Sequence, residues 1–107
     1  MSRLSVCIVG LLIGATSLVY TAAAQHVVGQ KGRLFKPGVM TVKAGDVVGF
    51  ENNDNVTHHI YSSTKGQEFN LETMKIGEQS PYAFPKKGRV EVRCGLHPGM
   101  RLIVNVE

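Results

Sequence analysis

Near its C-terminal end the chain carries Cys94-Gly95-Leu96-His97-Pro98-Gly99-Met100, a thiol, an imidazole and a thioether within one short turn. Upstream, Val56-Thr57-His58-His59-Ile60 offers two further imidazoles. Sulfur donors are soft and imidazole is intermediate. Two His nitrogens, one Cys sulfur and a weak Met sulfur therefore favour copper and one-electron chemistry. A C-x2-H pair alone is a weak signal, but here Cys94 closes one apolar strand and Met100 precedes the next. A Pro98-Gly99 turn can gather Cys94, His97 and Met100 around one point, so a fourth donor must come from elsewhere, and the paired histidines can supply it.

The elements that must position these donors read as strands. Short apolar runs recur at Val39–Val42, Val47–Phe50, Thr57–Tyr61, Pro81–Phe84, Arg89–Cys94 and Leu102–Val106, broken by Gly, Pro, Asn and Asp. Helical periodicity is nearly absent, and this spacing predicts an antiparallel sandwich or barrel. Lys43-Ala44-Gly45-Asp46 and Lys86-Lys87-Gly88 read as tight turns. Glu51-Asn52-Asn53-Asp54-Asn55 reads as a polar loop whose side chains cap turns.

A period of two decides which donors face inward. Val90, Val92 and Cys94 share one face of their strand, with Arg89, Glu91 and Arg93 on the other. His58 shares a face with Ile60, and His59 with Tyr61, so only one of the two histidines can enter the core. If Ile60 is core, that histidine is His58, and His59 is a neighbouring polar or surface residue. Ser62–Lys75 is the least readable stretch, where Phe69, Leu71, Met74 and Ile76 fit either a short helix or an irregular crossing.

The N-terminus has the pattern of a cleaved export signal. Arg3 precedes a largely apolar Val6–Tyr20, and Ala22-Ala23-Ala24 offers small residues before Gln25. Gly10, Gly14, Thr16 and Ser17 interrupt the apolar run, which argues against a retained membrane anchor. Removing residues 1–24 from the 107-residue chain leaves 83 residues, 25–107, enough for one small domain. Arg3 is the only charge lost, so the formal net charge falls from +4 to +3. That mild excess suits an acidic protein partner and falls short of a nucleic-acid footprint.

Cys7 leaves with the signal, so Cys94 stands alone and no intramolecular disulfide can form. An unpaired thiol in an oxidising compartment is protected by burial or by a metal. His26 reads as a surface residue. If cleavage instead followed Ala23, Ala24-Gln25-His26 would offer an amine, two amides and an imidazole to Cu(II) in a square plane.

The motifs together resemble the cupredoxins, the type 1 blue copper proteins of plastocyanin type, and the C-terminal loop most resembles the amicyanin branch. That branch carries Cys, two residues, His, Pro, one residue and Met, matched by Cys94, His97, Pro98 and Met100. Gly45–Asn52 resembles the family's Gly-Asp-x-Val-x-Phe-x-Asn strand, and Asn52–His59 its approach to the first His ligand. Tyr82, Phe84 and Gly88 resemble the aromatic-then-Gly approach to the Cys strand. The resemblance spans about residues 35–107.

It implies a Greek-key β-sandwich with one copper ion held by His58, Cys94, His97 and an axial Met100. Two positions depart from the family pattern. His59 stands where Asn usually follows the first ligand, and Gly95-Leu96 replaces the Thr-Pro of amicyanin. Such changes beside a metal tune its potential and affinity.

The expected function follows from the ligand set. A monomeric periplasmic protein, not an enzyme and not inserted in the membrane after signal cleavage, shuttles single electrons between redox protein partners. Electrons leave by the edge of His97, ringed by Leu96, Pro98 and Gly99. The resemblance implies methylamine dehydrogenase as one donor to test, although loops of this length also serve other partners. The rival reading is a copper-binding module for tolerance, storage or delivery, and the third a metal-free interaction sandwich.

Overall fold

The computed structural model describes residues 23–107; the Arg3 and Val6–Tyr20 features of the expected signal, and Cys7, lie outside the described residues. Among those residues the secondary structure is all strand: β1 (Gln25–Lys31), β2 (Leu34–Lys36), β3 (Val39–Val42), β4 (Val47–Asn52), β5 (His58–Ser62), β6 (Phe69–Met74), β7 (Gln79–Ala83), β8 (Gly88–Cys94) and β9 (Arg101–Val106). They form a four-stranded sheet, β2-β1-β4-β7, and a five-stranded sheet, β3-β9-β8-β5-β6.

Most neighbours are antiparallel, as the strand spacing predicts. Two pairs, β1 with β4 and β3 with β9, are parallel. Parallel neighbours need long crossover connections, and both pairs join strands far apart in the chain, so the sandwich is not a simple meander.

Alternation along each strand fills the space between the sheets. Val28, Val48 and Phe50 point inward from one sheet, and Ile60, Val90, Val92, Leu102 and Val104 from the other, all with no exposed surface. Each buried aliphatic or aromatic side chain contributes about 1.5–3 kcal/mol. One side of the sandwich is closed by an aromatic group. Phe69 on β6 stacks on Tyr82 of β7 at 3.9 Å, and Phe84 meets both rings edge-on. At the Lys43–Asp46 turn Gly45 takes φ +94°, a conformation L side chains rarely adopt.

The open stretch Ser62–Lys75 contains a strand and no helix. β6 pairs antiparallel with β5, but the register shifts between His59 and Tyr61, leaving one extra residue on β6. Glu72, at φ +62°, lies in that irregularity. The bulge changes the phase of the alternation, so half-buried Phe69 and Leu71 are followed by buried Met74, and the pattern loses its period of two.

Candidate metal centre

β8 delivers Cys94 as the inward alternation requires, 1% exposed beyond Val90 and Val92. β5 runs beside it, pairing Ile60 with Cys94, and presents His58 with no exposed surface. His59 turns to the other face and is half-buried. The two-residue period therefore selects the histidine it was expected to select.

The loop after β8 brings in the third donor. The His97 N–H donates to the Cys94 carbonyl at 3.4 Å and the Met100 N–H to the His97 carbonyl at 2.9 Å. From the strand side, Arg93 Nη2 donates to the Pro98 carbonyl at 2.6 Å. Cys94 Sγ then lies 3.6 Å from His58 Nδ1 and 3.6 Å from His97 Nδ1. The donor atoms of His58, Cys94 and His97 all fall within 4.8 Å of one another. The two imidazoles meet edge-on with centroids 4.9 Å apart. Met100 is 1% exposed and belongs to the core.

The polar loop before β5 fixes the tautomer of His58. Asp54 Oδ2 lies 3.0 Å from His58 Nε2. An ionised carboxylate only accepts, so Nε2 carries the proton and the lone pair of Nδ1 faces the sulfur. Backbone N–H groups of Arg33 and Asn55 also donate to Asp54, each at 2.8 Å. These bonds, led by that from Arg33, hold the Asp54 carboxyl far below the usual carboxylate range, with the His58 contact adding to them. Asn52, 1% exposed, folds the loop by donating to the carbonyls of Val56 and Met74 and accepting from the Asp54 N–H.

Burial lowers the pKa of His97 below its ordinary value. The charge of Arg33, and that of His58 whenever it is protonated, act in the same direction, and Asp54 opposes them. The neutral imidazole, the form that binds a metal, is thereby favoured. Sequence reasoning took Asp54 only as a turn residue; its position four before His58 in a polar loop was the available signal. His26 is tied down on β1, with Nε2 3.0 Å from Asp46 Oδ2.

Two packed sheets with a buried thiol between two imidazoles at one end define a cupredoxin, and the chain belongs to that copper-containing, electron-transport family. It is 31% identical over 108 residues to the methylamine utilization protein MauL of Methylorubrum extorquens, covering 98% of this chain and 94% of that one. Among solved structures, a reduced point variant of amicyanin matches with a TM-score of 0.72 at 24% identity, over 81% of this chain and 86% of that one. A purple cupredoxin from Nitrosopumilus maritimus matches with a TM-score of 0.66 at 24% identity, over 78% and 99%. No family model matches the chain.

The donor set fits the family's copper cofactor. A thiolate and two imidazoles held together suit copper, and no Asp or Glu lies among the gathered donors to favour a harder ion.

Proposed function

We propose that the mature protein, residues 25–107 after removal of a signal peptide spanning 1–24, is a single-domain periplasmic carrier of single electrons and not an enzyme. His58, Cys94 and His97 are its copper ligands and Met100 the axial one. The observation that carries this reading is the clustering of one buried thiol and two imidazoles within 4.8 Å. Copper held there supplies a reversible one-electron couple.

The residues of this chain do the rest. Asp54 keeps the proton on His58 Nε2, and the Arg93 bond to the Pro98 carbonyl holds the ligand loop closed. Met100, 1% exposed at the foot of the loop, would be the fourth ligand in this reading. With four protein side chains around the metal there is no open position for a substrate.

His58 and Cys94 are buried while His97 is only partly so, which favours the His97 edge as the electron route. Leu96 beside it is 53% exposed, and Pro98 and Gly99 are exposed too, an apolar rim suited to brief docking. Arg33, whose backbone N–H holds the Asp54 carboxylate beside His58, puts a cation next to the site, and its charge opposes protonation of His97. That cation favours an acidic redox partner, approached as a monomer. The name of the MauL relative ties that protein to methylamine utilisation, so a partner in amine oxidation is the first to try.

Voltammetry of the copper-loaded protein tests the carrier role. A reversible one-electron wave with fast self-exchange supports it. Tight copper binding with slow, irreversible exchange supports storage or delivery instead.

A further inference from the structure

His59 points away from the core yet touches both segments that build the site. Its backbone N–H donates to Cys94 Sγ at 3.3 Å, and its carbonyl accepts from the Gly95 N–H at 2.8 Å. Its ring Nε2 meets Asn70 Oδ1 at 2.8 Å, which pins the imidazole to β6. The pinned ring lies directly against Gly95. A Cβ at residue 95 would sit 2.9 Å from His59 Nδ1, 3.5 Å from Cγ and 3.6 Å from Cε1.

Gly95 is not among the described glycines with positive φ, so its backbone conformation does not itself call for glycine. What excludes a side chain at residue 95 is the His59 ring. The two departures from the family pattern, 36 positions apart, thus account for each other: an imidazole occupies the space that a side chain after the Cys would need.

We infer that His59 is a positioning residue for the Cys94 thiolate, and that Gly95 is the partner that makes room for it. The ring, wedged between Gly95 and Asn70, fixes the edge of β5 from which the backbone N–H is aimed at sulfur. Hydrogen bonding to a ligand sulfur sets its charge, and with it the potential of a blue-copper site. The spectroscopic consequences rest on the copper-site reading above. The packing is a property of the metal-free protein.

A double-mutant cycle on the full protein, with Gly95→Ala, His59→Ala and both together, tests the pair. His59→Ala removes the ring and keeps the backbone N–H and carbonyl, so the new methyl has room in the double variant. Three quantities are read: the thermal midpoint without metal, the reduction potential and thiolate-to-copper band of the loaded protein, and the rate of copper release to a chelator.

With His59 present, Gly95→Ala is expected to lower the midpoint, displace band and potential, and speed copper release by roughly tenfold. In the His59→Ala background the same change is expected to alter the rate by less than about twofold, within ordinary additivity. His59→Asn, run through the same cycle, guards against a poorly folding alanine variant. Equal effects of Gly95→Ala in both backgrounds would overturn the pairing. Coupling in the midpoint without displacement of band or potential would overturn the positioning role. Failure of the copper-site reading looks different: a wild-type protein without the band, whose metal-free midpoints still couple.

Discussion

Asp54 Oδ2 and His58 Nε2 stand 3.0 Å apart beside the site, in a contact that leaves Nδ1 as the free lone pair. The carboxylate is itself held by the Arg33 and Asn55 N–H groups, so the imidazole is oriented by a rigid acceptor. Asp54→Ala should weaken copper binding about 10- to 100-fold, the usual cost of losing such a partner. Competition against a chelator of known affinity measures this. Unchanged affinity would mean that packing alone orients His58.

A second prediction concerns acid stability at the opposite end of the sandwich. Asp46 accepts from His26 and from the backbone N–H of Lys43, partners that the mature chain keeps, and its pKa is lowered, mainly by the His26 hydrogen bond. A carboxyl whose folded pKa lies below its unfolded value stabilises the fold fully above the unfolded pKa of about 3.9. The contribution fades as pH falls through the folded pKa. Asp46→Asn should therefore melt below wild type at neutral pH, with the gap closing only in strong acid. Melting curves against pH decide it, and a gap that widens in acid would reverse the sign.

Phe84 anchors the aromatic closure between the sheets, with no exposed surface and edge contacts to Phe69 and Tyr82. Phe84→Ala should cost about 3–5 kcal/mol. Denaturant unfolding of the metal-free protein reads this directly. A loss below about 1 kcal/mol would show that the side of the sandwich collapses to fill the space.

Arg33 gives a handle on partner choice. Its side-chain charge acts near His97 while its backbone N–H serves Asp54. Arg33→Gln should slow association with an acidic redox partner by on the order of threefold at low salt and flatten the salt dependence. The visible spectrum should stay unchanged. Stopped-flow mixing across ionic strengths is the measurement, and an unaltered salt slope would remove Arg33 from the docking face.

The inward donors were legible because β5 and β8 alternate cleanly: His58 with Ile60, and Cys94 with Val90 and Val92, are buried as a period of two requires. β1 was not legible, because it breaks the polarity rule. Gln30 is fully buried, donating to the Glu51 carbonyl and Met74 Sδ, while Val27 is 55% exposed. β2, three residues long, is too short to show a period. β6 was hidden by the bulge at Glu72, which shifts Met74 out of phase with Leu71. Asp54 escaped because loop residues carry no periodicity from which a contact can be read. The sequence marked His59 and Gly95 as departures, but only the structure puts one against the other.

The most direct test of the copper site is the visible absorption spectrum of the protein after addition of Cu(II), recorded beside Cys94→Ser. Serine keeps the shape of the buried side chain and removes the soft donor, so the fold survives while the thiolate-to-copper transition cannot. An intense visible band in the wild type, absent from the variant, is the predicted result. A folded wild-type protein that stays colourless with Cu(II), or a band that persists in Cys94→Ser, would contradict the assignment of Cys94 as the copper thiolate.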